Sequence, residues 1–524
     1  MTVLEINQLK KTIGGRELLR IAHLQVQEGQ RIGLVGKNGE GKTTLLRILN
    51  GEEKPEEGMV SVQGTTALLP QLKRTDTVKS GGEITAEYVT KAMEAQSKLL
   101  LADEPTTNLD TSHVEWVEKE LKRFNGALVV VSHDRQLLDA VCDTIWELES
   151  GNITVYTGNY SQYIEQKQRE RQHQQTEYEK YKYKERQLTN ALEQKKQKAV
   201  KATKAPKKVS PSEARITGAK PYFAKKQKKL NQGAKAIQTR LEKLEEVEKP
   251  KDHAPVKMDL PNERAFKDKI ILRVEGLEGK IGDKRLWKPA TFFVKGGDKI
   301  GIIGPNGSGK TTLLKRILEA DEAGVYRSPA MKIGYFAQNL SVLNPEKTIL
   351  ENVSQDSHQS ETLIRTVLAR LHFYQEDVHK PVSVLSGGER VKVSLAKLFV
   401  SDSNTLVLDE PTNYLDVYAL EALEDLLREY EGTVLFVSHD RRFVSAIATR
   451  ILSLEEGELT LFDGDYEAFQ TRDQKKERDT TEDRLLMVET AIADVLSRLS
   501  LNPTEELDKE FQRLLKEKQA LQSN

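Results

Sequence analysis

The sequence predicts an α/β fold class: two tandem domains of one parallel-sheet fold, joined by a long α-helical hairpin and followed by a short helical C-terminal extension. Three observations predict it. Residues 1–160 and 268–472 carry the same motifs in the same order, an internal repeat. Each motif follows a short apolar run, R-I-G-L-V or L-L-L-A-D in the first copy and K-I-G-I-I or T-L-V-L-D in the second, as strands buried on both faces do. The connecting residues 161–267 are rich in Glu, Lys, Gln and Arg with helical spacing of the few apolar positions. Residues 473–524 read as two helices broken at Asn502–Pro503.

A chain of 524 residues exceeds one ordinary core, and 37% apolar with 31% charged residues suits a soluble globular protein carrying long charged helices. No run approaches ~18 apolar residues, which excludes a membrane-spanning helix. The start, M-T-V-L-E-I-N-Q-L-K, alternates like a strand and lacks a signal peptide's apolar core. The single cysteine, Cys142, excludes an internal disulfide and reads as a small buried residue, so the expected compartment is the cytoplasm. The net charge of +0 hides a segregation: residues 161–250 hold 24 Lys and Arg against 11 Asp and Glu. Within it, Lys195 to Lys229 holds 13 basic residues against one acid, Glu213.

In the first copy G-K-N-G-E-G-K-T-T places Gly36, Asn38, Gly39, Gly41, Lys42, Thr43 and Thr44 in one loop. In the second, G-P-N-G-S-G-K-T-T places Gly304, Asn306, Gly307, Gly309, Lys310, Thr311 and Thr312 likewise. G-x-x-x-x-G-K-T between a strand and a helical pattern is a P-loop, whose glycines let backbone N–H groups close on phosphate oxygens at a helix N-terminus. Lys42 and Lys310 would reach the β- and γ-phosphates, and Thr43 and Thr311 would ligate Mg²⁺. A later strand in each copy ends in Asp-Glu: Asp103 and Asp409 would hold Mg²⁺ through water, while Glu104 and Glu410 would polarise the attacking water. His133 and His439, in S-H-D-R after the following strand, would sense the γ-phosphate. A single glycine loop is a weak signal; two, each followed by strand-end acids, are a strong one.

These residues, with S-G-G-E and the N-L-D and Y-L-D turns, resemble the ATP-binding cassette (ABC) ATPases, so that each repeat looks like an ABC-type P-loop ATPase domain. The resemblance implies cassettes paired head to tail, with ATP between the P-loop of one and the S-G-G-E of the other. It puts Lys42 with Ser386, Gly387 and Gly388, and Lys310 with Ser80, Gly81 and Gly82. It sets Gln71 and Gln338 beside Mg²⁺ and the attacking water, and it implies hydrolysis at both sites. Two departures stand out. The family stacks adenine on an aromatic ahead of the P-loop; here K-K-T-I-G-G-R and E-G-K-I-G-D-K carry none, which leaves ATP against GTP open. Gln71 precedes Ser80 by nine positions, whereas Gln338 precedes Ser386 by 48. In the family this interval holds a helical subdomain that docks a transporter's membrane partner, and nine positions cannot hold it.

The connector predicts a helix from about Tyr160 to about Lys204, a break across the proline-containing run 205–224, and a returning helix from about Lys225 to Glu248. Leu230, Ile237, Leu241 and Leu244 would form its apolar stripe. At ~1.5 Å per residue, about 45 helical residues set the tip, near 209–223, roughly 65–70 Å out. The almost purely basic distal third favours a polyanion over a solvated coiled coil. At the tip, Ser212, Glu213, Arg215, Lys220, Tyr222 and Phe223 suit RNA, with cations for phosphate and aromatics for unpaired bases.

Two cassettes joined by a basic helical hairpin resemble the ABC-F proteins. The shortened first cassette, the tip segment and the helical tail narrow the resemblance to the Vga-type antibiotic-resistance members, over essentially the whole chain. This implies a bacterial 70S ribosome as partner and no membrane subunit, in a monomer whose own cassettes pair. The ATP-closed form would occupy the E site, its tip passing the P-site tRNA toward the peptidyl transferase centre of 23S rRNA, with hydrolysis releasing it. The associated drugs are lincosamides, pleuromutilins and streptogramin A compounds. Two other readings stay alongside: a housekeeping translation factor without a drug role, and the ATPase subunit of an efflux transporter. For the tail, contact with the ribosome and packing on its own cassette are equal readings.

Overall fold

The computed structural model describes residues 1–71, 81–94, 97–107, 109, 111–201, 219–247, 260, 266–282, 284–319, 322–336 and 342–472, and 492, 495, 511–516 and 518 near the C-terminus. It divides into two compact units, Met1–Val155 with Pro255–Asn524, and Tyr156–Ala254.

In the larger unit the first repeat runs β1 (Thr2–Ile13), β2 (Arg16–Gln27), β3 (Arg31–Gly36), α1 (Lys42–Leu49), β4 (Glu57–Val62), β5 (Thr66–Leu69) and α2 (Gly81–Glu94). It continues with β6 (Leu99–Asp103), α3 (Thr111–Arg123), β7 (Ala127–Val131), α4 (Arg135–Val141), β8 (Thr144–Glu149) and β9 (Asn152–Thr157). β1, β2 and β4 form an antiparallel sheet, and the other six strands lie in the order β5-β6-β7-β3-β8-β9. From β5 to β8 neighbouring strands are parallel. Every residue of β6 and β7 is buried, as a strand covered on both faces requires, which explains why these runs do not alternate. The order sets the C-terminal ends of β3, β6 and β7 side by side, the crevice where open α/β sheets bind ligands.

The second repeat shares this plan. It has β10 (Ile270–Ile281), β11 (Lys284–Lys295), β12 (Lys299–Ile303), α7 (Lys310–Leu318), β13 (Val325–Arg327) and β14 (Ile333–Phe336). Then come α8 (Ile349–Ser354), α9 (Glu361–Arg370), α10 (Gly387–Phe399), β15 (Thr405–Asp409) and α11 (Val417–Glu429). Last are β16 (Thr433–Val437), α12 (Arg441–Ile447), β17 (Arg450–Glu455) and β18 (Glu458–Phe462). Its sheet order, β14-β15-β16-β12-β17-β18, repeats that of the first. Between β14 and α10 stand α8 and α9, whose Ile364, Val367 and Leu368 join one core with the sheet. The interval 72–80 in the first repeat lies outside the described residues.

The smaller unit is a helical hairpin of α5 (Tyr160–Lys201) and α6 (Ala219–Glu242). Leu192, Ala199 and Ala234 are buried, and Leu230, Ile237, Leu241 and Leu244 are half-buried. A Cβ on Gly233 would sit 2.8 Å from Lys195 Nζ of the other helix. Two bounds differ from expectation. α6 begins at Ala219 because Pro221 falls in its first turn, where the missing N–H has no partner in any case. It stops at Glu242 rather than Glu248, ahead of Glu245, Glu246 and Glu248, acids that a helix C-terminus disfavours. Of the expected tip, Ser212, Glu213 and Arg215 lie outside the described residues, as do the side chains of Lys220, Tyr222 and Phe223 in the first turn of α6. The expected tail helices lie outside them too, apart from helical backbone at 492, 495, 511–516 and 518. Among the described residues, no helix is long and apolar enough to cross a membrane.

Candidate functional site

Each P-loop is shaped by left-handed glycines. Gly41 (φ 101°) and Gly309 (φ 105°) immediately precede α1 and α7, a conformation that a side chain would strain. The chain therefore turns sharply, and the free N–H groups of the first helical turn face the loop. Lys42 Nζ donates to the carbonyls of Gly36 (2.6 Å) and Lys37 (3.0 Å), and Lys310 Nζ to those of Gly304 (2.8 Å) and Pro305 (2.9 Å). Burial pushes the Lys42 ammonium below its usual range against the pull of Glu104 and other carboxylates. A buried cation bonded to its own loop carbonyls is ready to exchange them for an anion.

At the end of β15, Asp409 Oδ1 accepts from Thr311 Oγ1 at 3.2 Å, and Asp103 at the end of β6 is likewise bonded to the Thr43 side chain. Burial raises both carboxyls and the threonine bond opposes it. Hydroxyl and carboxylate oxygens held together at a phosphate loop are the donor types Mg²⁺ takes. The next residues, Glu104 and Glu410, have φ of 52° and 51°, left-handed values uncommon for a non-glycine. Burial lifts Glu104 to about 8 and Glu410 to about 7, outweighing the attraction of Lys42 and Lys310. His133 N–H donates to Glu104 Oε2 at 3.2 Å, and His133 Nε2 lies 3.3 Å from Oε1. His439 Nε2 lies 3.2 Å from Glu410 Oε1. Burial, reinforced by Lys42, drives His133 down to about 3, so this contact is not an ion pair. Oε1 of both glutamates is buried without a hydrogen-bond partner, a place for one polar ligand such as a water.

The two repeats meet at these loops. Asn38 N–H donates to Asp416 Oδ2 (3.0 Å), and Asn38 Nδ2 to the Tyr414 carbonyl (2.9 Å). A Cβ on Gly388 would stand 3.1 Å from Asn38 Nδ2, so the second repeat's S-G-G-E faces the first repeat's P-loop. Ser386 caps α10, its side chain accepting from Glu389 N–H. Burial of Asp416 is outweighed by amide bonds from Asn38 and Ala419 and by Lys392, and its carboxyl falls below the usual range. A cavity of about 280 Å³ here is lined by Gln71, Asp103 and His133 among others. The opposite cavity, about 620 Å³, is lined by Asn306, Lys310 and Glu410 of the second repeat and by Thr106, Leu109 and His133 of the first. Gly81 and Gly82 open α2, while Ser80 and Gln338 lie outside the described residues. Leu18 lines the smaller cavity, and Ile281 with Leu286 the larger, aliphatic side chains beside the P-loops.

The sequence profile of a family described as ABC transporter matches residues 19–79 and 287–413, and a second so described matches 146–214. The chain is 32% identical to the ribosome protection protein VmlR of Bacillus subtilis over 98% of this chain and 97% of that one. The chain belongs to the ABC-F family. This ABC-F protein is also 34% identical to the erythromycin resistance ATP-binding protein MsrA of Staphylococcus epidermidis, over 85% of this chain and 96% of that one. Among solved structures, an RNase-L Inhibitor matches 90% of this chain and 93% of its own with a TM-score of 0.60 at 18% identity, a likeness of fold. The chain is an ATPase with two cassettes. Sequence reading missed the partners of Asn38, the positive φ of both glutamates and the buried charges at the cassette interface. No local pattern marks any of them.

Proposed function

We propose that this ATPase binds the bacterial ribosome and protects it from drugs of the peptidyl transferase centre. The observation that carries the reading is the end-to-end similarity to VmlR, named a ribosome protection protein. It is supported by the basic hairpin between the cassettes and by an interval of only nine positions where a membrane partner's docking subdomain would stand. ATP closes the cassettes; the closed form occupies the E site, the hairpin tip reaches past the P-site tRNA toward the drug, and hydrolysis releases the protein. The protein acts in the cytoplasm, as a monomer.

In each site the P-loop N–H groups and Lys42 or Lys310 bind the phosphates, and S-G-G-E of the other cassette closes over them. Thr43, Asp103 and Gln71, or Thr311, Asp409 and Gln338, would hold Mg²⁺, which would supply positive charge to neutralise the phosphates. The ionised Glu104 or Glu410 carboxylate orients the attacking water through its free Oε1, and neutral His133 donates toward the γ-phosphate, as does His439 in its site. Lincosamides, pleuromutilins and streptogramin A compounds are the drug classes; MsrA's name adds erythromycin to the panel.

The test combines Glu104→Gln with Glu410→Gln. The double variant should stay on 70S particles in ATP through sedimentation, where the parent protein exchanges freely. A deletion strain should become sensitive to at least one drug of the panel; unchanged sensitivity with ribosome binding intact would leave the housekeeping reading instead.

A further inference from the structure

The two composite sites face each other with unequal clasps. Arg135, directly after the His133-Asp134 pair, is 3% exposed and reaches across to the other cassette, where it pairs with Glu424 on α11 and lies 3.6 Å from Asp440 Oδ2. Glu424 is 5% exposed, and its other oxygen is 3.5 Å from Arg428. One turn and a half earlier on α11, Tyr418 donates its hydroxyl to Glu147 of the first cassette, a buried carboxylate on β8. At its start, Asp416 caps α11 and accepts from Asn38 N–H. α11 is thus fastened along its length to the cassette whose P-loop it covers.

Among the described residues the mirror arrangement is repeated only in part: the charge of Arg441 acts on buried Asp134, as Arg135 lies beside Asp440, but the pairing with α11 is not matched. After the shortened interval the repeats are offset by 306 positions, so Arg441 corresponds to Arg135 and Glu118 to Glu424. Arg441 pairs instead with Glu115, whose side chain is 50% exposed, while Glu118 is 2.6 Å from Lys122 of its own helix. Ser112 and Ser453 stand where Tyr418 and Glu147 would, and Ser453 Oγ is buried with no hydrogen-bond partner. The sequence itself removes one fastening from the second side.

We propose that Arg135–Glu424 and Tyr418–Glu147 form a one-sided clasp that makes the Lys42 site the retaining site, while the Lys310 site opens and exchanges nucleotide first. The four are positioning residues: they touch no nucleotide, and they act by holding α11, and through Asp416 the edge of the P-loop, in place. A buried charge-assisted bond removed from a closed state raises the opening rate, whereas the Arg441–Glu115 pair, with Glu115 half-exposed, carries less. The inference rests on ATP binding at both sites and is independent of the ribosome reading.

The experiment uses the full chain carrying Glu104→Gln and Glu410→Gln, loaded with a fluorescent ATP analogue and chased with ATP. Two dissociation phases are expected. The slow one should disappear with Lys42→Ala and survive Lys310→Ala. Tyr418→Phe, which preserves packing, and Arg135→Gln should each speed the slow phase about tenfold and leave the fast one alone. Arg441→Gln should do neither. Combining Arg135→Glu with Glu424→Arg should recover part of the slow release even where Arg135→Gln also lowers Tm. One common rate at both sites, an assignment of the slow phase to Lys310, or equal acceleration by Arg441→Gln and Tyr418→Phe would overturn the clasp. Absence of any bound analogue would instead strike at the nucleotide sites themselves.

Discussion

Glu104 and Glu410 show how far burial governs a single residue here. Each follows a buried strand, turns through a left-handed φ, and presents one carboxylate oxygen without a partner. Such backbone costs about 1–3 kcal/mol and persists only when its surroundings fix it. Burial holds the two carboxyls at about 8 and about 7, so near neutral pH the nucleotide-free protein carries Glu104 mostly protonated and Glu410 about half so. A base must be ionised, so kcat/KM for hydrolysis should rise with pH through about 7 to 8, in the limb set by the free enzyme. Stability runs the other way. A carboxyl whose folded value is raised contributes stability that is fully present below the ordinary carboxylate value of about 4.3 and is lost as pH rises through the folded value. The Tm of the nucleotide-free protein should therefore fall between pH 5 and pH 9, and the fall should shrink in the double Glu→Gln variant. Each single Glu→Gln change should cut turnover at its own site by about 10²–10⁴-fold.

Among the elements, the hairpin offers the cleanest test of its own packing. Gly233 lies inside α6, where glycine costs about 0.5–1 kcal/mol relative to alanine. The added methyl would meet the far end of Lys195, a flexible side chain able to move aside. Gly233→Ala should stabilise the hairpin by about that amount, seen as slower amide exchange across α5 and α6 with ATP turnover unchanged. A loss of protection would mean that the helices need this close spacing. The connector's apolar spacing made both helices legible, while the start of α6 was not: Pro221 reads as a breaker until its place in the first turn is known. The pair of helices between β14 and α10 follows from the 48-position interval.

For the whole molecule, segregated charge is the property that reaches a partner. Net charge is +0, yet 13 basic residues cluster between Lys195 and Lys229. If these meet RNA phosphates, binding falls steeply with salt through counterion release. Changing Lys225, Lys228 and Lys229 to Gln together should weaken ribosome binding in ATP and flatten the log–log salt slope by about 0.7–0.9 for each phosphate no longer neutralised. An unchanged slope would place the ribosome-binding surface elsewhere on the molecule.

What the sequence determined by itself was local: two P-loops, the strand-end Asp-Glu pairs, S-H-D-R, and a basic helical connector. Each is written in a few neighbouring residues because glycine conformation, strand burial and helical period act over one or two turns of chain. The tertiary structure alone decided which cassette residues meet beyond the P-loop and S-G-G-E pairing that the resemblance implies. Asn38 with Asp416, Arg135 with Glu424 and Tyr418 with Glu147 are joined across 378, 289 and 271 positions. An ion pair or hydrogen bond at such separation depends on how two packed bodies dock, and a single residue type leaves no periodic trace of it. The Ser112 and Ser453 that break the symmetry were visible in the sequence, but only the fold shows what they stand in place of.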